Sequence, residues 1–162
     1  MNFQKKLFLF ALLAGVSMFA EELKFDGKFT GWIVSNRKQV VVDREVKPVG
    51  AAIRLENNSS IHRNLELEPD TKYKITFRIK GQDIASDKNK GARIMLNAGK
   101  HWERITATPQ NEPDTGTFDW KEGSGIIDTA KFKSGKIAIY LSIKGTGTVW
   151  YADVKIEKQE TK

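Results

Sequence analysis

The residues of this chain that could do chemistry are polar and aromatic side chains on the outer sides of a few strongly patterned segments. Alternation over Tyr73 to Lys80 turns Tyr73, Ile75, Phe77 and Ile79 one way and leaves Arg78 on the other. The same alternation leaves Arg93, Met95 and Asn97 outside in Ala92 to Asn97, and Tyr140 and Ser142 outside in Ile137 to Lys144. Trp102 follows a loop-like approach, Asn97-Ala98-Gly99-Lys100-His101, and stands among His101, Glu103 and Arg104, a polar neighbourhood for an indole. Such a set suits recognition of a hydroxyl-rich ring. An aromatic side chain stacks on the ring's apolar face while guanidinium and amide groups satisfy its hydroxyls. With the three strands adjacent in one sheet, Trp102, Tyr140, Arg78, Arg93 and Asn97 line a shallow groove. The competing reading is a solvated sheet face, with the Trp102 indole plugging the edge of the core.

Catalytic chemistry finds less support. His62 and His101 lack metal-ligand spacing, and no nucleophile motif is present. Asp119 and Glu122 are a carboxylate pair of the kind that hydrolyses glycosides. Acids on a lysine-rich surface are ordinarily solvated, however, and the expectation is a protein that is not an enzyme. Trp32, Trp120 and Trp150 occupy positions expected to pack in the core.

The elements that must position these residues are short strands. Phe29 to Val34, Lys38 to Asp43, Ala51 to Leu55, Ile61 to Glu68 and Tyr73 to Lys80 come first. Ala92 to Asn97, Trp102 to Thr108, Thr117 to Trp120 and a piece at Ile126-Ile127 follow. Gly135 to Glu157 alternates on both sides of Gly145-Thr146-Gly147 and reads as a closing hairpin. A polar loop, Gly81 to Gly91, lies between two of the strands. About ten strands with turn residues between them predict an all-β fold, an antiparallel β-sandwich.

Residues 1–20 carry Lys5 and Lys6, an apolar run from Leu7 to Phe19, and Ala20 before a polar stretch. That is the layout of a signal peptide, expected as a helix and too short for a comfortable membrane span. The chain is therefore expected to be secreted or periplasmic, with no membrane insertion after cleavage. Residues 21–157 form the expected domain and 158–162 a charged tail. Losing Lys5 and Lys6 lowers the formal net charge from +7 to +5. The basic residues are dispersed, which argues against nucleic acid as a partner. The chain has no cysteine, so stability must come from the core or from a bound metal.

Three segments in order, Leu65 to Gly81 (LELEPDTKYKITFRIKG), Gly116 to Trp120 (GTFDW) and Ser134 to Glu157 (SGKIAIYLSIKGTGTVWYADVKIE), resemble a known group. It is the jelly-roll carbohydrate-binding modules of families 4, 9, 16 and 22, in the galactose-binding-like superfamily. The N-terminal FDGKFTGW also fits the start of such modules. The resemblance implies a jelly roll and a non-catalytic module that recognises polysaccharide or glycan. It also implies a structural calcium joining the chain ends, with Asp26 and Asp153 at the ligand positions. Calcium takes several hard oxygen ligands. Two departures stand out: Asp26 replaces a usual Glu, and Ala152-Asp153 replaces a frequent Asp-Asp pair. Asp153 could equally cap a turn or pair with a lysine. The rival expectation on the same fold is an envelope domain that binds other envelope proteins without recognising sugar.

Overall fold

The structure is a computed structural model that describes residues 20–23, 29–85, 87 and 89–160. Eleven strands are formed among them: β1 (Ala20–Glu22), β2 (Ile33–Ser35), β3 (Val40–Val46), β4 (Gly50–Glu56), β5 (Ser60–Glu66), β6 (Lys72–Ile84), β7 (Gly91–Ala98), β8 (His101–Ile105), β9 (Gly116–Asp128), β10 (Lys136–Lys144) and β11 (Thr148–Lys158). One short helix, α1 (Thr129–Phe132), sits between β9 and β10. The strands form two antiparallel sheets. One has the order β3-β4-β11-β6-β9, with β1 also on β11; the other has the order β2-β5-β10-β7-β8.

The period-two pattern explains the layering. Tyr73, Ile75, Phe77 and Ile79 of β6 are buried, as are Ile137, Ile139, Leu141 and Ile143 of β10. Each set faces the other sheet, and the apolar area so removed from water drives the two sheets together. Tyr151 of β11 crosses the interior and donates its phenol proton to the Ser142 carbonyl of β10, at 2.9 Å. The all-β sandwich expected from the sequence is the fold observed.

Three local readings are corrected. Gly135 to Glu157 is not a hairpin, because β10 pairs with β5 and β7 while β11 pairs with β4 and β6. The Gly145–Gly147 connection instead carries the chain from one sheet to the other. It is held by Asn57 and Asn58, whose side chains accept from the Gly147 and Gly145 N–H groups at 3.1 and 2.8 Å. Secondly, the two pieces read around Thr117 and Ile126 are one strand, β9. Gly123 lies inside it because a Cβ there would sit 2.3 Å from the buried Phe77 ring. Thirdly, a bulge between Ala152 and Lys155 resets the alternation of β11. Val149 and Tyr151 point inward before it and Val154 and Ile156 after it. Trp150 is thereby left half-buried on the outer side of its sheet, with Nε1 donating to Asp43 at 2.8 Å. Trp120 is likewise half-buried, and of the three expected core indoles only Trp32 is buried.

β1 includes Ala20, and β11 continues to Lys158, followed by a Gln159 N–H bond to the Lys72 carbonyl. The rest of the expected leader lies outside the described residues.

Candidate functional site

The outer face of the β2-β5-β10-β7-β8 sheet gathers most of the residues singled out in the sequence. Strand register sets its rows. Ile33, His62, Tyr140, Met95 and Arg104 lie opposite one another across all five strands. The next row holds Asn64, Ala138, Asn97 and Trp102. Tyr140 on the central strand is half-buried, whereas Trp102 on the edge strand is 51 % exposed.

Their rings meet over β7, with centroids 5.3 Å apart and planes tilted by 44°. Ala138, beside Tyr140 on the same face, has only a methyl group to put beneath that approach. On its other side Tyr140 stacks on His62, with centroids 4.5 Å apart and an interplanar angle of 21°. The result is a continuous ring surface from His62 through Tyr140 to Trp102. Burial holds the His62 imidazole below its ordinary pKa, so the ring is neutral where it stacks.

Asn97 positions the indole. Its Nδ2 donates to the carbonyls of Gly99 and His101, at 2.9 and 3.1 Å, and so closes the tight β7–β8 turn that carries Trp102. A cavity of about 440 Å³ opens beside this turn, lined by Asn64, Glu66, Asn97, Gly99, Lys136 and Ala138 among others. Arg93 lies further along β7 on the same face. It is 8 % exposed, and its Nη2 donates to the Asn89 carbonyl at 2.7 Å.

Arg78 does not join them. It lies on β6, in the other sheet, so the expected five-residue groove contains Trp102, Tyr140, Arg93 and Asn97 but not Arg78. The reason is topological, since β6 and β7 are consecutive in sequence yet belong to different sheets. Arg78 instead lines a cleft of about 560 Å³ with Lys74, Thr76, Glu122, Ser124, Asp153 and Lys155. This cleft is the larger of the two but carries no exposed aromatic; its one ring, Phe77, is 2 % exposed. This cleft therefore offers no ring on which a flat ligand could stack.

Asp153 is the bulge residue of β11, with φ of 50°, and its carboxylate lies 3.9 Å from Arg78 Nη1. Asp26 lies outside the described residues. Among those described, no three acidic or histidine side chains gather to hold a metal. Asp153 shares its cleft with Glu122, Lys74, Arg78 and Lys155, so among the described residues three cations there outnumber two carboxylates, whereas calcium takes clustered oxygen ligands.

The sequence reading missed His62, Asn64 and Arg104 as members of this face. The parity of Leu65 already turned His62 and Asn64 outward, but only the pairing of β5 with β10 brings them beside Tyr140.

By sequence, the chain matches no protein-family profile and no curated protein. By structure it matches many solved chains. A xylan-binding domain from carbohydrate-binding module family 22 aligns with a TM-score of 0.62 at 12% identity, over 91% of this chain and 99% of that one. The family 22 xylan-binding domain of Paenibacillus barcinonensis Xyn10C gives 0.61 at 10% identity, over 89% and 95%. A family 61 module, solved in complex with β-1,4-galactotriose, gives 0.54 at 21% identity, over 82% and 92%. The fold is that of carbohydrate-binding modules. At these identities the likeness concerns the path of the backbone and leaves the ligand to be argued from the side chains.

Proposed function

We propose that this chain is an exported, non-catalytic carbohydrate-binding module that holds polysaccharide on the outer face of the β2-β5-β10-β7-β8 sheet. The observation that carries the reading is Trp102, a half-exposed indole seated against Tyr140 in a polar sheet face. An exposed aromatic of this size is not explained by the core, since it buries little area there. It does suit the apolar face of a pyranose. Asn64, Asn97 and His62 surround the rings with hydrogen-bonding groups at fixed positions on strands. The fold is shared with modules whose structures concern xylan and galactotriose, which supports sugar as the class of ligand.

Asp119, one of the carboxylates weighed for hydrolysis, lacks the character of a general acid. Asp119 bonds the Trp120 N–H and pairs with Lys80, and both interactions hold its pKa below the ordinary carboxylate value. A general acid needs the opposite shift. Export rests on the basic and apolar character of residues 1–20.

The test is affinity electrophoresis against a panel of polysaccharides, with Trp102→Ala as the comparison. Retardation on at least one neutral or acidic glycan that is lost in Trp102→Ala, with circular dichroism unchanged, is the expected outcome. Migration unaffected by every polysaccharide would reject the reading and favour an envelope assembly domain.

A further inference from the structure

The row of the sheet face beside the rings carries two amides. Asn64 of β5, Ala138 of β10 and Asn97 of β7 stand opposite one another in register, with Trp102 of β8 opposite Asn97. The first three belong to the lining of the cavity of about 440 Å³ beside the β7–β8 turn. Ala138, in the middle, puts only a methyl group between two amide walls.

The two walls differ in what they offer. The Asn97 Nδ2 group is spent on the Gly99 and His101 carbonyls, so Oδ1 remains for a ligand, and that atom can only accept. Asn64 is exposed and its amide brings donors as well as an acceptor. A group that suits both walls gives a proton to Asn97, takes one from Asn64 and lays something apolar on Ala138. The lining carries one cation and one carboxylate, Lys136 and Glu66, directly opposite each other. Their charges offset, which favours a neutral group over an ammonium or a carboxylate.

Spacing narrows the choice further. Asn64 and Asn97 flank one intervening strand, so their backbones lie about 10 Å apart. In a trans amide the N–H and the C=O point to opposite sides. With an internal N···O separation of about 2.3 Å and a hydrogen bond of about 2.9 Å at each end, such a group spans about 8 Å. A lean of about 1 Å by each asparagine closes the difference. A hydroxyl oxygen bridging the same two side chains would span only about 6 Å. The row also lies two residues, about 7 Å along the strand, from Tyr140. A hydroxyl on a pyranose stacked there stops short of the row, whereas an acetamido group, two heavy atoms longer, reaches into it.

Resting on the glycan reading above, we propose that the ligand is a polysaccharide of 2-acetamido sugars. One pyranose stacks on Tyr140 and Trp102, its acetamido N–H donates to Asn97 Oδ1, its carbonyl accepts from Asn64 Nδ2, and its methyl group lies on Ala138. The rings hold any pyranose, and the amide pair selects those that are N-acetylated.

The test is isothermal titration of the full chain with two β-1,4-linked pentaoses of gluco configuration that differ only at C2, acetamido in one and hydroxyl in the other. The acetamido pentaose should bind tighter by roughly tenfold or more. Asn64→Ala, at an exposed position and with circular dichroism unchanged, should cut that ratio to about threefold or less. Equal affinity for the two pentaoses, or tighter binding of the hydroxyl form, would overturn the acetamido inference and leave the glycan reading standing. A ratio that Asn64→Ala leaves unchanged would overturn it as well. Binding of neither pentaose, with retardation of the protein on some other polysaccharide, would also overturn this inference alone. Binding of neither pentaose and no retardation on any polysaccharide would overturn both.

Discussion

The Tyr140 ring lies between His62 and Trp102, 4.5 Å from one ring centroid and 5.3 Å from the other. Tyr140 is thus the centre of the ring surface, although Trp102 is its most exposed member. Tyr140→Ala should remove the support of both neighbours and abolish glycan retardation. Trp102→Ala should abolish it too, yet cost less than about 1 kcal/mol in urea unfolding, because half of the indole is already in water. A loss of about 3–5 kcal/mol would mean that the indole belongs to the core.

His62 makes the surface sensitive to acid. Its folded pKa is lowered by burial, so the neutral ring is the form the folded state prefers. The associated stability is present above the unfolded value of about 6.5 and is lost as pH falls through the lower folded value. Thermal melts should therefore decline in that range, and His62→Gln should lessen the decline. An identical pH profile in the variant would remove His62 from the account.

Tyr151 is buried, with its phenol on the Ser142 carbonyl at 2.9 Å, and burial pushes its pKa well above the ordinary phenol value. Tyr151→Phe keeps the ring and deletes the bond between the sheets. The expected cost is about 1 kcal/mol in urea unfolding, with glycan affinity retained.

Gly123 faces the Phe77 ring closely enough that any Cβ would overlap it. Gly123→Ala should destabilise by roughly 1–3 kcal/mol through displacement of Phe77 or of β9. A melting temperature equal to that of the parent chain would show that β9 can shift without cost.

The metal expectation has its own check. With Arg78 beside Asp153 and lysines on either side in the cleft, EDTA followed by calcium should leave the melting temperature unchanged. A calcium-dependent rise of several degrees would locate a site that draws on residues beyond those described, Asp26 first among them.

Much of this protein is written in its sequence by side-chain alternation. Hydrophobic residues at every second position of β6, β7 and β10 dictate strands with one buried face, because successive side chains leave opposite sides of a pleat. The same rule turns Arg78, Arg93, Asn97 and Tyr140 outward without reference to any partner strand. What alternation cannot state is which strand lies beside which. Pairing is decided by contacts between residues far apart in the chain, such as Tyr140 with His62 and Arg93 with Ser142. For that reason Arg78, so close in sequence to Arg93, ended on the opposite face, while His62 joined the rings from a distant strand. The bulge at Asp153 and the room made by Gly123 belong to the same class, since each answers to a neighbour that only the folded sheets provide.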